Sequence, residues 1–166
     1  VVAVLFIAVE EILDARALYA SHYPRLYRFG LAFSGSESRA AEAVQEAFLD
    51  LIRNPQQYDP RRGKPLSFLF GMVRNRLRRA RRMEREEALI EDETTDEDLL
   101  LNLEQAERVS AVRDAILGLP EHYREVVLLC EIEECSYEDC ADALGLPIGT
   151  VRSRLSRARG RLSGCD

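Results

Sequence analysis

The sequence predicts an all-α chain made of two small helical domains, and three observations carry that prediction. Apolar residues recur at three- and four-residue spacing over long stretches of the 166 positions. The alternation of apolar and polar residues that marks a half-buried strand is nearly absent. Charge is distributed in blocks: the net values are −3 over 1–60, +9 over 61–85, −9 over 86–108, −7 over 109–147 and +4 over 148–166. The overall charge of −6 alone argues against a nucleic-acid partner, but it conceals two strongly basic segments. With 46% apolar residues the chain can bury cores, which excludes a wholly disordered protein.

The first helical run spans Leu13 to Phe33, with Leu18, Tyr19, Tyr23, Leu26, Tyr27, Phe29 and Leu31 at helical spacing. Pro24 inside it predicts a kink or a fresh helix start. Ser34-Gly35-Ser36 breaks the run. Ser36 or Ser38 then caps a second helix through Arg53, with an apolar stripe of Ala40, Ala43, Val44, Ala47, Phe48, Leu51 and Ile52. Asn54-Pro55 stops that helix, and residues 58–65 read as a basic loop rich in turn formers. A third helix, about Leu66 to Arg85, begins apolar and turns strongly basic from Arg74 onward. Three helices with short connections form a bundle, and the first domain is placed at 10–85.

Residues 86–104 read as an acidic linker, because a dense run of like charge is ordinarily a solvated segment. Its carboxylates could also mask the basic surfaces of the same chain. A second helical domain follows at 105–163. Val109, Val112, Ile116 and Leu117 mark one helix, closed by Gly118. Another starts at Leu119-Pro120-Glu121, with Val126, Val127, Leu129, Cys130 and Ile132 on its buried side.

Ser136 to Gly145 and the following helix carry the most specific signal. Ser136 caps a short helix, and Gly145 supplies the positive φ that a tight turn between helices requires. Ala141 is small where two helices touch, while Leu144, Leu146, Val151 and Leu155 hold them together. This is a helix-turn-helix pattern, whose second helix enters a DNA major groove. Arg152, Ser153, Ser156 and Arg157 lie off the Val151/Leu155 stripe and face outward together. A solvated basic face is the plain alternative, but no acid occurs between Asp142 and Asp166. The earlier basic block differs: Tyr58, Phe68 and Phe70 lie among arginines and Asn75, a composition suited to unstacked bases and phosphates. For at least one of those phenylalanines, a place in the bundle core is the expectation.

Other classes find little support. The apolar run Val1–Val9 reaches only about 14 Å as a helix, too short to cross a bilayer, and reads as a helix start packed on a neighbour. Cys130, Cys135, Cys140 and Cys165 form no CxxC pair, so reduced, mostly buried thiols are expected, with no metal and no cofactor. No nucleophile–base pair or phosphate-binding glycine loop suggests an enzyme or a small-molecule substrate.

Tyr23-Pro-Arg-Leu-Tyr-Arg-Phe29, Ala41-Glu-Ala-Val-Gln-Glu-Ala-Phe48 and Phe68-Leu-Phe-Gly-Met-Val-Arg-Asn75 resemble region 2 of bacterial RNA polymerase sigma factors of the extracytoplasmic-function (group 4, sigma-70 family) class. Leu119-Pro-Glu-His-Tyr-Arg-Glu-Val-Val-Leu128, Ser136-Tyr137 and Gly149-Thr-Val-Arg-Ser-Arg-Leu155 are similar to region 4. The sequence differs from the family pattern at Phe68, usually Trp, at Ala41, often an acid, and at Cys140, usually aliphatic.

The resemblance implies a transcription initiation factor that binds core RNA polymerase and directs it to promoters. Glu42, Gln45, Glu46 and Leu49 would dock on the β′ clamp helices. Arg61, Arg62, Lys64, Asn75, Arg78 and Arg79 would recognise and melt the −10 element. Thr150, Arg152, Ser153, Ser156 and Arg157 would bind the −35 element, with region 4 seated on the β flap. The linker would thread toward the active-site and RNA-exit channels. The resemblance also implies an anti-sigma factor as partner and a cytoplasmic location, with membrane attachment only through that partner. Two rivals differ in class: a sigma-like decoy that binds an anti-sigma factor but no promoter, and a DNA-binding regulator using 136–162 alone.

Overall fold

Helices and helical turns make up the regular structure of the computed structural model, which describes residues 14–88 and 103–164. The readings placed on Val1–Val9, on Cys165 and on most of the acidic segment lie outside the described residues. Among the described residues there is no strand.

Helix α1 spans Ala15–Ser34 and is started by Asp14, whose Oδ1 accepts from the N–H groups of Arg16 and Ala17 at 3.1 and 3.2 Å. Pro24 does not restart the helix, contrary to one sequence expectation. It lies on an exposed side, where its missing donor is offset by the burial of Leu26, Phe29 and Phe33 on the other. Gly35 closes α1, and Ser36 caps α2, Glu37–Arg53. The predicted stripe of α2 is buried from Ala40 to Leu51, but Ile52 is 58% exposed. The chain leaves the helix at Asn54, and Leu51 is the last side chain of α2 in the core.

A 3₁₀ turn, Pro55–Gln57, leads into the basic loop, which is pinned by buried Tyr58 donating its hydroxyl to Gly63 O at 3.0 Å. Helix α3 spans Pro65–Ala88. It runs through Glu86 and Glu87, where the sequence expectation began the linker, because Arg, Met, Glu and Ala all favour helix. Leu69, Phe70, Val73 and Leu77 meet α1 and α2 in the first core.

Helix α4 is Leu103–Gly118. Gly118 keeps a negative φ and is no left-handed cap, and Val109 and Val112 are 65% and 59% exposed rather than packed. Helix α5, Glu121–Val127, runs into a π turn, Leu128–Ile132. The wider turn, in which Glu133 N–H reaches Leu128 O at 2.9 Å, shifts the buried face. Leu128 joins Val126, Val127 and Leu129 inside, while Cys130 is half-buried and Ile132 is exposed, correcting the sequence reading. Helices α6, Tyr137–Leu144, and α7, Ile148–Ser163, complete the chain.

The two helical units do not stand apart. Helix α3 packs on α6, while α1 packs on α4 and on the π turn, so their buried residues form one continuous cluster. Buried Arg124 fastens this junction by donating to Phe33 O at 2.7 Å, Leu119 O at 3.0 Å, Ile116 O at 3.1 Å and Leu117 O. Those carbonyls lie at and just past the ends of α1 and α4, where helices lack acceptors' partners. Arg124→Met keeps the stem but removes the side-chain donor from all four carbonyls, of which Ile116 O retains the Leu119 N–H at 3.1 Å. It is expected to lower unfolding free energy by about 2–4 kcal/mol in urea titration, and Arg124→Lys, with a single ammonium, is expected to restore only part.

Candidate nucleic-acid interface

The helix-turn-helix forms as its capping residues dictate. Ser136 Oγ accepts from Asp139 N–H at 3.0 Å, and Gly145 adopts φ 64° where any side chain would be strained. Leu146 N–H then returns to Ala141 O at 3.0 Å, which sets α7 across α6. Val151, Leu155 and Ala158 are buried, so Arg152, Ser153, Ser156 and Arg157 all point to solvent as the spacing predicts. Thr150 is half-buried at the head of the helix, its carbonyl accepting from Ser153 Oγ at 3.0 Å. The Arg152 guanidinium lies 5.7 Å from the Tyr137 ring centre, which steadies it on the outward face.

The other arginines of α7 behave differently. Arg154 turns inward to Glu125 Oε1 at 3.1 Å, and Arg159 pairs with Glu131. Outward-facing cations on α7 are therefore concentrated at 152 and 157, with Arg161 lying 5.1 Å from the Tyr123 ring.

On α3, Asn75, Arg78, Arg79, Arg81, Arg82 and Arg85 line a groove of about 710 Å³ that also touches Glu86 and Glu121. Asn75 is exposed at the groove's edge, with its Oδ1 accepting from Arg74 Nη1 at 3.0 Å. Arg78 and Arg81 pair with Glu121 at 3.4 and 3.1 Å. In the loop, Arg61 is held by Asp59 at 3.1 Å, and these bonds keep the Asp59 carboxyl below the usual carboxylate range. Arg62 is exposed, and Lys64 pairs with Asp139 of α6 at 2.8 Å. Phe70 is core, whereas Phe68 is half-buried at the loop, its ring centre 5.5 Å from that of Tyr58.

Helix α2 presents a separate face. Glu42, Gln45, Glu46 and Leu49 are all exposed and follow the i, i+3, i+4, i+7 spacing of one helix side. Ile52, assigned to the core by the sequence, extends this face with a second exposed aliphatic side chain. Arg76 of α3 braces its edge by pairing with Glu46 at 3.6 Å and with Asp50.

The sequence reading missed Glu125 and Glu133, both with fully buried side chains and both paired to arginines. Their visible signal is an acid immediately before a run of five apolar residues, Val126–Cys130, and another three residues after it. Among the described residues no group of His, Cys, Asp and Glu is arranged to hold a metal, and no helix is long and apolar enough to cross a membrane.

Cys130, Cys135 and Cys140 are free thiols near the π turn. Burial pushes the Cys135 thiol up to about 11, despite Arg25 beside it, while a hydrogen bond from Cys140 lowers Cys130. Alkylation by iodoacetamide is therefore expected at Cys130 before Cys135 between about pH 7 and pH 9, with Cys135 gaining roughly tenfold in rate per pH unit. Peptide-resolved mass spectrometry across that range checks the order, and simultaneous labelling contradicts it.

Comparison with known proteins matches residues 18–87 to Sigma-70 region 2 and residues 110–162 to Sigma-70, region 4. The chain is 37% identical over 153 residues to the ECF RNA polymerase sigma factor SigE of Mycolicibacterium smegmatis, covering 87% of this chain and 58% of that protein. It is 33% identical over 142 residues to the ECF RNA polymerase sigma factor EcfG of Rhodopseudomonas palustris, covering 84% of this chain and 78% of the relative. Among solved structures, the sigma factor RpoE in complex with the anti-sigma factor NepR from Bartonella quintana is similar at a TM-score of 0.77 and 25% identity, over 91% of this chain and 95% of that one. CnrH in complex with the cytosolic domain of CnrY is similar at a TM-score of 0.69 and 25% identity, over 90% of this chain and 85% of that one.

Proposed function

Because the chain belongs to the ECF sigma factors of RNA polymerase, we propose that it directs core polymerase to promoters by dividing DNA recognition between α3 and α7. The observation that carries this reading is the pairing of two basic helices, one in each matched region, each with an outward polar face on an apolar base. The α2 face is the polymerase contact. Its exposed Leu49 and Ile52 supply apolar area, and Glu42 and Glu46 supply charge that selects a basic partner, the β′ clamp helices. Region 4 docks on the β flap.

Helix α7 lies in the major groove of the −35 element. Arg152 and Arg157 pair with guanine edges or phosphates, Ser153 and Ser156 with either, and Thr150 sits at the helix N-terminus facing the backbone. DNA shape adds selectivity at positions not touched. At the −10 element, Arg61, Arg62, Lys64, Arg78 and Arg79 neutralise phosphates, while Asn75 reads a base edge. Half-exposed Phe68 lies beside the basic loop, where an unstacked base can be received. Taking a base out of the stack costs roughly a few kcal/mol, which cation–phosphate contacts offset without ATP. The polymerase supplies the chemistry, so this chain needs none of its own. An anti-sigma factor is the expected restraint.

The decisive experiment is transcription in vitro with core polymerase. Promoter-dependent transcripts support the reading, whereas binding to an anti-sigma factor without transcripts favours a decoy. Arg152→Ala and Arg157→Ala are each expected to weaken −35 binding by about 1–3 kcal/mol on the cognate sequence, with a smaller loss on scrambled DNA. Arg79→Ala is expected to weaken binding evenly across sequences and to reduce the salt slope by about 1. Equal losses on cognate and scrambled DNA for all three would contradict the division of labour.

A further inference from the structure

The arginines of α7 divide by what they touch. Arg152 and Arg157 point to solvent, whereas the Arg154 side chain is 25% exposed and donates from Nη1 to Glu125 Oε1 at 3.1 Å. Five residues on, Arg159 Nε donates to Glu131 Oε1 at 2.9 Å, but both partners of that pair are exposed. An exposed pair holds a helix weakly, while a carboxylate with no solvent contact, as Glu125 is, binds its donors tightly. Glu125 also accepts from Arg74 of α3 at 2.7 Å. Among the described residues, Arg154 is the one cation of its own helical unit bonded to it. The Glu125–Arg154 pair therefore ties α7 to α5 wherever α3 lies.

What that tie fixes is the roll of α7 about its own axis. Val151, Leu155 and Ala158 hold the helix by apolar burial, which is non-directional. Position 154 flanks that stripe, about 60° round the helix from position 157 at 3.6 residues per turn. A charge-assisted hydrogen bond there is directional and resists rotation. A roll of about 10° displaces a side-chain tip 5–6 Å from the axis by about 1 Å. Hydrogen bonds to base edges hold only over roughly 2.7–3.2 Å, so such a displacement breaks them. Contacts to phosphate through bulk charge survive it.

We propose that Glu125 is a positioning residue for −35 recognition, which fixes the roll of α7 through Arg154 and keeps that guanidinium off the DNA. This role rests on the reading of α7 as the −35 helix given above. It raises specificity in two ways. Arg152, Ser153, Ser156 and Arg157 meet the bases in one register, and one cation fewer is available for phosphates, whose attraction is independent of sequence.

The test uses the full chain assembled with core polymerase. The probes are a fluorescein-labelled duplex that the wild-type holoenzyme selects from a pool randomised over the −35 element, and the same duplex with that element scrambled. Glu125→Met removes the acceptor and keeps an apolar side chain of similar volume. It is expected to lower the preference for selected over scrambled duplex about tenfold, the loss of one well-placed base contact. On the scrambled duplex, the freed Arg154 is expected to steepen the slope of log affinity against log salt by about 0.9. Glu125→Met with Arg154→Met is expected to keep the lowered preference and to return the slope to the wild-type value. This double variant replaces the pair by two apolar side chains, a change that buried ion pairs tolerate, and so serves alone should the single variant fail to fold. A merely loosened domain would bring fewer cations to DNA and flatten the slope in either variant, which overturns the proposal. So does an unchanged preference, or a slope that stays steep in the double variant. A wild-type holoenzyme that enriches no sequence from the pool overturns the −35 reading itself.

Discussion

Glu125 imposes the constraint on which the arrangement of this molecule depends. A carboxylate without solvent contact is costly unless its oxygens are fully engaged, and here that requires arginines from two different helices. Arg74 and Arg154 can reach it only if α3 and α7 converge on α5. Arg124, one residue earlier, meets the complementary demand by giving its donors to four carbonyls. Two successive charged residues in a buried segment thus decide how the halves of the chain sit together.

The charge blocks make sense in that light. The +9 segment at 61–85 is partly matched by the −7 segment at 109–147 through Glu121, Glu125 and Asp139. Basic surface is therefore not uniformly free. Arg62, Arg79, Arg152 and Arg157 face solvent, while Arg74 and Arg154 are drawn inward and Arg78 is held at the boundary. A count of arginines overstates the surface open to DNA, and the pairing pattern corrects it.

Local signals were read well where the physics is local. Ser36, Ser136 and Gly145 cap or turn the chain as their side-chain chemistry requires, and the outward set on α7 follows from helical periodicity about Val151 and Leu155. Errors arose where a neighbour decides. Ile52 has the same spacing as its buried companions but no helix across from it, and Val109 and Val112 are exposed for the corresponding reason. Ile132 is displaced from the buried side by a π turn, whose extra residue changes the helical phase. Pro24 is tolerated because an exposed helical side loses little when one backbone bond is absent.

By itself the sequence determined the helical content, the two units, the turn at Gly145, the polar face of α7 and the family resemblance. Each of these depends on periodicity, on capping or on short motifs, all written within a few consecutive residues. Only the tertiary structure decided that α3 and α6 approach closely at Gly71, that Glu125 gathers arginines from both units, and which cations remain open to solvent. Those outcomes depend on groups separated by tens of residues being brought within about 3 Å, where desolvation and charge pairing, not local propensity, set the energy.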